Sequence, residues 1–155
     1  MKKGIVYTTI SLIVFLSLIF YNYLNAQRAI SEERASITKV ETTSFPKITE
    51  AGSRAAFSWH VEVPEGLRTS ATTLYWGYES SPSALLDFDS PQAVGYPNHP
   101  EDYESGEFPL PSDFSVTIVP DKPGRVFFRS YAFVQGKHLW SDEQSVIISS
   151  KPNGQ

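Results

Sequence analysis

The chain contains no cysteine and only one methionine among its 155 residues. Without thiols there are no disulfides, thiolate nucleophiles or cysteine-ligated metals, so a fold outside the cytoplasm has to hold without covalent staples. Positive charge is missing over long stretches. Between Arg68 and Lys122 there is no Lys or Arg, whereas nine carboxylates occur there: Glu79, Asp87, Asp89, Glu101, Asp102, Glu104, Glu107, Asp113 and Asp121. The formal net charge is −4, and no Lys/Arg-rich face of the kind nucleic acid requires is present. Charge of either sign is absent between Lys3 and Arg28. The sequence also lacks an Asn-x-Ser/Thr site, a Gly-x-Ser-x-Gly elbow, a Gly-rich phosphate loop and an internal repeat.

What is present suits one folded domain with an appendage. Hydrophobic residues make up 41% and charged residues 19%, too apolar a balance for a disordered chain. The 8 Tyr, 10 Phe and 3 Trp supply large rings that fill a thin core or serve an exposed contact surface.

The uncharged run Gly4 to Ala26 follows Lys2 and Lys3. At ~1.5 Å per residue, about twenty such residues cross a hydrocarbon layer of roughly 30 Å. Residues 1–27 therefore read as a transmembrane anchor or signal sequence, with the lysines on the cytoplasmic side and the C-terminal domain outside. A cleaved signal peptide ending at Leu24-Asn25-Ala26 is the alternative. The Lys2-Lys3-Gly4 start also resembles a prepilin leader, although Thr9 stands where many pilins carry Glu. Residues 28–39 form a charged, Ser-rich stalk, and residues 151–155 a C-terminal tail.

From residue 40 to 150 the apolar runs are short and alternate with period two, and Pro, Gly, Ser and Asp separate them. Strands are expected over 37–43, 55–63, 72–78, 114–119, 125–134 and 139–149. In AAFSWHVEV, Phe57, Trp59, Val61 and Val63 share one face; in TTLYWGY, Leu74 and Trp76 share one, and Gly77 leaves room for a ring or backbone to pass. Pro120 stops the fourth run, and PDKPG turns the chain into the fifth. Gln135-Gly136-Lys137 forms a hairpin. A two-residue loop sets Tyr131 opposite Trp140 and Arg129 opposite Asp142; a three-residue loop sets Ala132 opposite Trp140 and Val126 opposite Val146.

In this order, AAFSWHVEVP, LYWGYES and VTIVPDKPGRVFFRSYAFVQGKHLWSDEQSVII resemble successive strands of a fibronectin type III domain. The resemblance implies an all-β, two-sheet antiparallel β-sandwich of fibronectin type III or immunoglobulin-like type, preceded by one N-terminal transmembrane helix. It places Phe57, Trp59, Val61, Leu74, Trp76, Val116, Ile118, Val126, Phe128 and Ala132 between the sheets. Val126 departs from the family, because it stands where a tyrosine usually anchors the corner, so either the corner is lost or Phe127 replaces it through a shift.

The strand RVFFRSYAFV is apolar on both faces, so its outward side needs a cover. Tyr75, Phe127, Arg129, Tyr131 and Phe133 define that outward side as the candidate interaction face. The segment Glu79 to Pro111 is long for a loop and rich in apolar residues. Either it packs across this face, or the face stays open for a partner. Its acidic bias reads as a solvated surface more readily than as a calcium site, since the EF-hand spacing is missing. His60, His99 and His138 are scattered without a supporting pattern, so no catalytic, cofactor-binding or metal residue is nominated and no cofactor is expected. The expected role is a noncatalytic binding or cell-envelope interaction module. It would sit in the membrane through residues 4–26 and meet a protein or cell-envelope partner. A structural subunit of a surface assembly is the alternative.

Overall fold

Residues 15–29, 38–81 and 83–151 are described by the structure, a computed structural model. The chain divides into two units, residues 1–37 and 38–155. In the first, residues 15–29 form helix α1, whose Phe15, Leu16, Leu18, Ile19, Phe20, Tyr21, Tyr23 and Leu24 are all exposed. Among the described residues no helix is long and apolar enough to cross a membrane. The expected anchor begins at residue 4, and its first part, like residues 30–37 of the expected stalk, lies outside the described residues.

The second unit is a sandwich of two sheets. Three strands, β1 (Lys39–Ser44), β3 (Ala55–Glu62) and β6 (Ser112–Ile118), pair antiparallel in the order β1-β3-β6. The other sheet holds β2 (Ile48–Glu50), β9 (Gln144–Ser149), β7 (Gly124–Val134), β4 (Arg68–Gly77) and β5 (Phe108–Pro109) in that order, with β8 (Lys137–Trp140) also on β7. Strand β2 pairs parallel to β9, so the sheet is antiparallel except at that edge. One short helical turn, α2 (Pro91–Val94), begins with Pro and ends at Gly95 in the left-handed region.

Period-two alternation explains the core. On β3 the burial alternates at every residue, and Phe57, Trp59 and Val61 are fully enclosed with Leu74, Val126, Phe128 and Val146. The ten expected core residues all face inward; Trp76 is partly buried at the margin. Trp59 donates its indole N–H to Thr72 Oγ1 at 2.9 Å, and the Thr72 hydroxyl donates to the Tyr131 carbonyl at 2.6 Å. A polar tip is thus satisfied inside an apolar layer, which such burial requires.

The structure changes several expectations. The last expected strand, 139–149, is two strands, because the chain shifts register between them. Both hairpin registers occur: Tyr131 faces Trp140 near the turn, and Val126 faces Val146 beyond it. The extra residue is accommodated at Ser141–Glu143, so Arg129 does not face Asp142 as a strand partner. The turn itself places Gln135 and Gly136 at positive φ, as a two-residue hairpin of matching twist demands. The corner before β7 has a different anchor from the family's. The Tyr78 hydroxyl donates to the Lys122 carbonyl at 3.0 Å and accepts from the Lys122 N–H at 3.1 Å, while Val126 is core.

Candidate functional site

The outward face of the larger sheet carries the five residues singled out above. Tyr75 and Arg129 are register partners, as are Gly77 and Phe127, so the face forms one surface across β4 and β7. Its rings cluster. Tyr131 lies 4.6 Å from Trp140, Tyr75 lies 5.5 Å from both, and Phe133 packs 5.0 Å from His138. The Tyr131 hydroxyl and His138 Nδ1 are 2.8 Å apart. Burial pushes the Tyr131 phenol well above its ordinary range, and the nearby Tyr75 adds to this.

This face is not an open contact surface over its middle. Arg129 and Tyr131 are each 4% exposed, while Tyr75, Phe127 and Phe133 are half-buried. The cover is the segment 79–109. Its first part crosses the face, bringing Val94 and Tyr96 into burial outside the inter-sheet core. Its second part turns back along the edge of β4: Trp76 and Asn98 exchange backbone bonds, and Thr72 N–H donates to Tyr103 and Gly106 N–H to Ser70. Covering both a ring-rich face and a strand edge removes two aggregation hazards at once.

Two charges fasten the crossing. Arg129 donates from Nη1 to the Ser141 carbonyl at 2.9 Å, and from Nη2 to the carbonyls of Ser81 and Ser83 at 2.9 and 3.0 Å. Glu143 accepts from the Ser80 hydroxyl and the Ser81 N–H, both at 2.6 Å, and from the Tyr96 hydroxyl. Burial alone would raise the Glu143 carboxyl, but those bonds and the nearby Arg129 outweigh it and hold the group below its ordinary value. Burial and the bond to Glu143 push the Tyr96 phenol up to about 12. Trp140 Nε1 donates to the Asp89 carbonyl at 2.9 Å, and His138 N–H to the Asp87 carbonyl at 2.8 Å.

No protein-family model matches the chain, and no curated protein does either. Solved structures give distant likenesses. A superoxide reductase (neelaredoxin) from Ignicoccus hospitalis has a TM-score of 0.43 at 16% identity, over 79% of this chain and 87% of that one. The human F-spondin reeler domain scores 0.40 at 11% identity, over 73% and 88%. The D00-D0 domain of intimin scores 0.39 at 16% identity over 73% of this chain, which spans 49% of that fragment. At such scores these likenesses carry no argument about activity.

His60 Nδ1 is 2.8 Å from Asp113 and its Nε2 3.1 Å from Glu62, so both ring nitrogens are engaged by carboxylates and neither is left to take a nucleophile's proton. Among the described residues no group of three or more His, Asp or Glu is placed to hold a metal ion. A groove of mixed polar and apolar lining runs between the edge of β1 and the end of β8, bordered by Lys39, Val40, Glu41, Thr42, Trp140, Ser141, Asp142 and Gln144.

The cover leaves part of the face bare. Ile48 on β2, Ile147 on β9 and Arg125 on β7 lie side by side in register and are exposed. Alternation alone reveals Ile147, because inward Val146 and Ile148 force it outward. Glu143 and Tyr96 had no such signal; their role depends on where one loop crosses another.

Proposed function

We propose that this chain is a noncatalytic interaction module, a variant of the fibronectin type III arrangement held at a membrane by its N-terminal segment with the sandwich outside the cytoplasm. The observation that carries the reading is the continuous uncharged run 4–26 ahead of an immunoglobulin-like sandwich. Two facts support it. Eight of the ten residues from Phe15 to Leu24 in α1 are large and apolar or aromatic, a composition that suits apolar surroundings. The sandwich closes its aromatic face with its own chain and keeps smaller apolar features exposed on fixed elements, as a contact module does. With the aromatic face covered, the contact surface belongs to the bare part of the sheet and the outer side of the 79–111 segment.

Fractionation of the full chain tests this. It is expected to stay with membranes after an alkaline carbonate wash and to be digested by protease added to cells stripped of any outer envelope layer but with the inner membrane intact. Release by carbonate, or protection of the sandwich in such stripped cells, sinks the reading.

A further inference from the structure

Sulfur, ordinarily the first target of oxidants, is nearly absent from this chain: there is no cysteine, and the one methionine is Met1. The most oxidisable groups of the sandwich are therefore its indoles and phenols. Three of them touch. Tyr131 and Trp140 have ring centroids 4.6 Å apart, and Tyr75 lies 5.5 Å from each, so an electron can pass from ring to ring. Trp140 is half-buried, whereas Tyr131 is 4% exposed, which makes the indole the accessible end of the cluster.

What distinguishes the three rings is where a proton can go. A phenol that loses an electron becomes a strong acid and must give up its proton. Tyr131 has a base in place: its hydroxyl lies 2.8 Å from His138 Nδ1, and a neutral imidazole carrying its proton on Nε2 accepts there. Trp140 Nε1 instead donates to the Asp89 carbonyl, which is no base, and the Tyr75 hydroxyl has no hydrogen-bond partner among the described residues. Burial holds the Tyr131 phenol well above its ordinary range, so it does not ionise beforehand, and electron and proton leave together. Tyr96 also meets a base, Glu143, but among the described residues no ring contact joins it to the cluster.

The geometry points to Tyr131 and His138 as a one-electron redox site, fed through Trp140 by a neutral radical oxidant from solvent. The oxidant takes one electron from the Trp140 ring and leaves an indole radical cation. An electron from Tyr131 refills that ring while the phenol proton crosses to His138 Nδ1. The products are a neutral Tyr131 phenoxyl radical, a restored Trp140 and an imidazolium, with the oxidant reduced to its anion. The nine carboxylates between Arg68 and Lys122 repel anionic oxidants, which favours a neutral one. The cover that buries Tyr131 then keeps the phenoxyl from pairing with a second radical. This chemistry is independent of membrane attachment and of any partner.

Pulse radiolysis of the full chain in detergent with azide supplies such an oxidant, the azidyl radical, which is reduced to azide. The indole-radical absorption should decay as the phenoxyl absorption rises, in a fast phase whose rate does not depend on protein concentration. His138→Gln keeps a hydrogen-bonding side chain beside the phenol but removes the base. It should slow that phase about a hundredfold, the low end of what a positioned proton acceptor contributes. Tyr131→Phe should abolish the fast phase, and Tyr96→Phe should leave it in place. A rate proportional to protein concentration, a fast phase that survives Tyr131→Phe, indifference to His138→Gln, or loss of the phase with Tyr96→Phe each overturns the site. Should Tyr131→Phe fail to fold, the milder His138→Gln decides the matter by itself.

Discussion

Arg129 is 4% exposed, makes no ion pair among the described residues and leaves Nε without a partner, so its charge depends on three carbonyls and the nearby Glu143. Replacing Glu143 by Gln keeps the shape but removes the counter-charge and weakens the bonds to Ser80, Ser81 and Tyr96. A loss of about 1.5–3 kcal/mol is expected, the usual worth of hydrogen bonds to a charged group, read from the urea midpoint at neutral pH. Because the folded Glu143 value lies below its ordinary 4.5, its contribution is complete above that value and disappears as pH falls through the folded one. The variant should therefore lose less stability than the parent on acidification below pH 4.5. An acid limb unchanged in the variant would remove the carboxylate from this role. His60 works in the opposite sense. The bond to Asp113 raises its value against a desolvation cost, with the bond to Glu62 helping. Its stabilisation is complete below the ordinary 6.5 and is lost as pH rises through the higher folded value. His60→Gln should flatten that alkaline-side decline, and a titration of the ring by NMR that showed a value at or below 6.5 would contradict it.

Elements whose geometry repeats were legible in the sequence, and those fixed by single crossings were not. Alternation located the inner faces of β3, β4, β6 and β7, because each strand has one apolar side that must be buried. The outward Tyr131 side of β7 could be read in the same way, but its covered state could not. That depends on Arg129 finding the carbonyls of Ser81 and Ser83, a contact with no periodic signature. The hairpin left two registers open since a bulge at Ser141–Glu143 lets each hold over half its length. Gly77 is an intermediate case. Its small size signalled a close approach, and the structure supplies the Pro97 ring, whose Cδ would lie 2.9 Å from a Cβ at this position. Gly77→Ala is expected to push the covering segment off β4 near Asn98 at a cost of about 1–3 kcal/mol, the range for overpacking a buried site. Hydrogen exchange at the Trp76 and Asn98 amides should quicken with it. A variant as stable as the parent, with those amides equally protected, would show that the cover adjusts freely there.

At the scale of the whole molecule, charge is distributed unevenly, and this decides how the fold responds to salt. Nine carboxylates and no cation lie between Arg68 and Lys122, and only two of them, Asp87 and Glu107, pair with a Lys or Arg among the described residues. Of the rest, Asp113 bonds to His60 and Glu104 lies 3.9 Å from His99; the others share the cover and the adjacent surface, where like charges repel. The favourable surface pairs, Lys39 with Glu41, Arg68 with Glu107 and Lys137 with Asp87, are exposed and contribute little. Screening shortens the reach of all these terms, from about 14 Å near 0.05 M salt to about 4 Å near 0.5 M. The repulsion acts over longer distances than the pairs do, so it is the larger loss on screening, and the net effect is stabilising. The melting temperature of the full chain should rise by about 2–4 °C over that range, equivalent to roughly 1 kcal/mol for a domain of this size. Chloride is the anion to use, since sulfate would stabilise the fold through the hydrophobic term as well. Replacing Glu101, Asp102 and Glu104 with Gln, Asn and Gln should bring most of the rise at low salt and leave little to be gained by screening. A melting temperature that falls with chloride would mean that attraction, not repulsion, dominates the acidic surface.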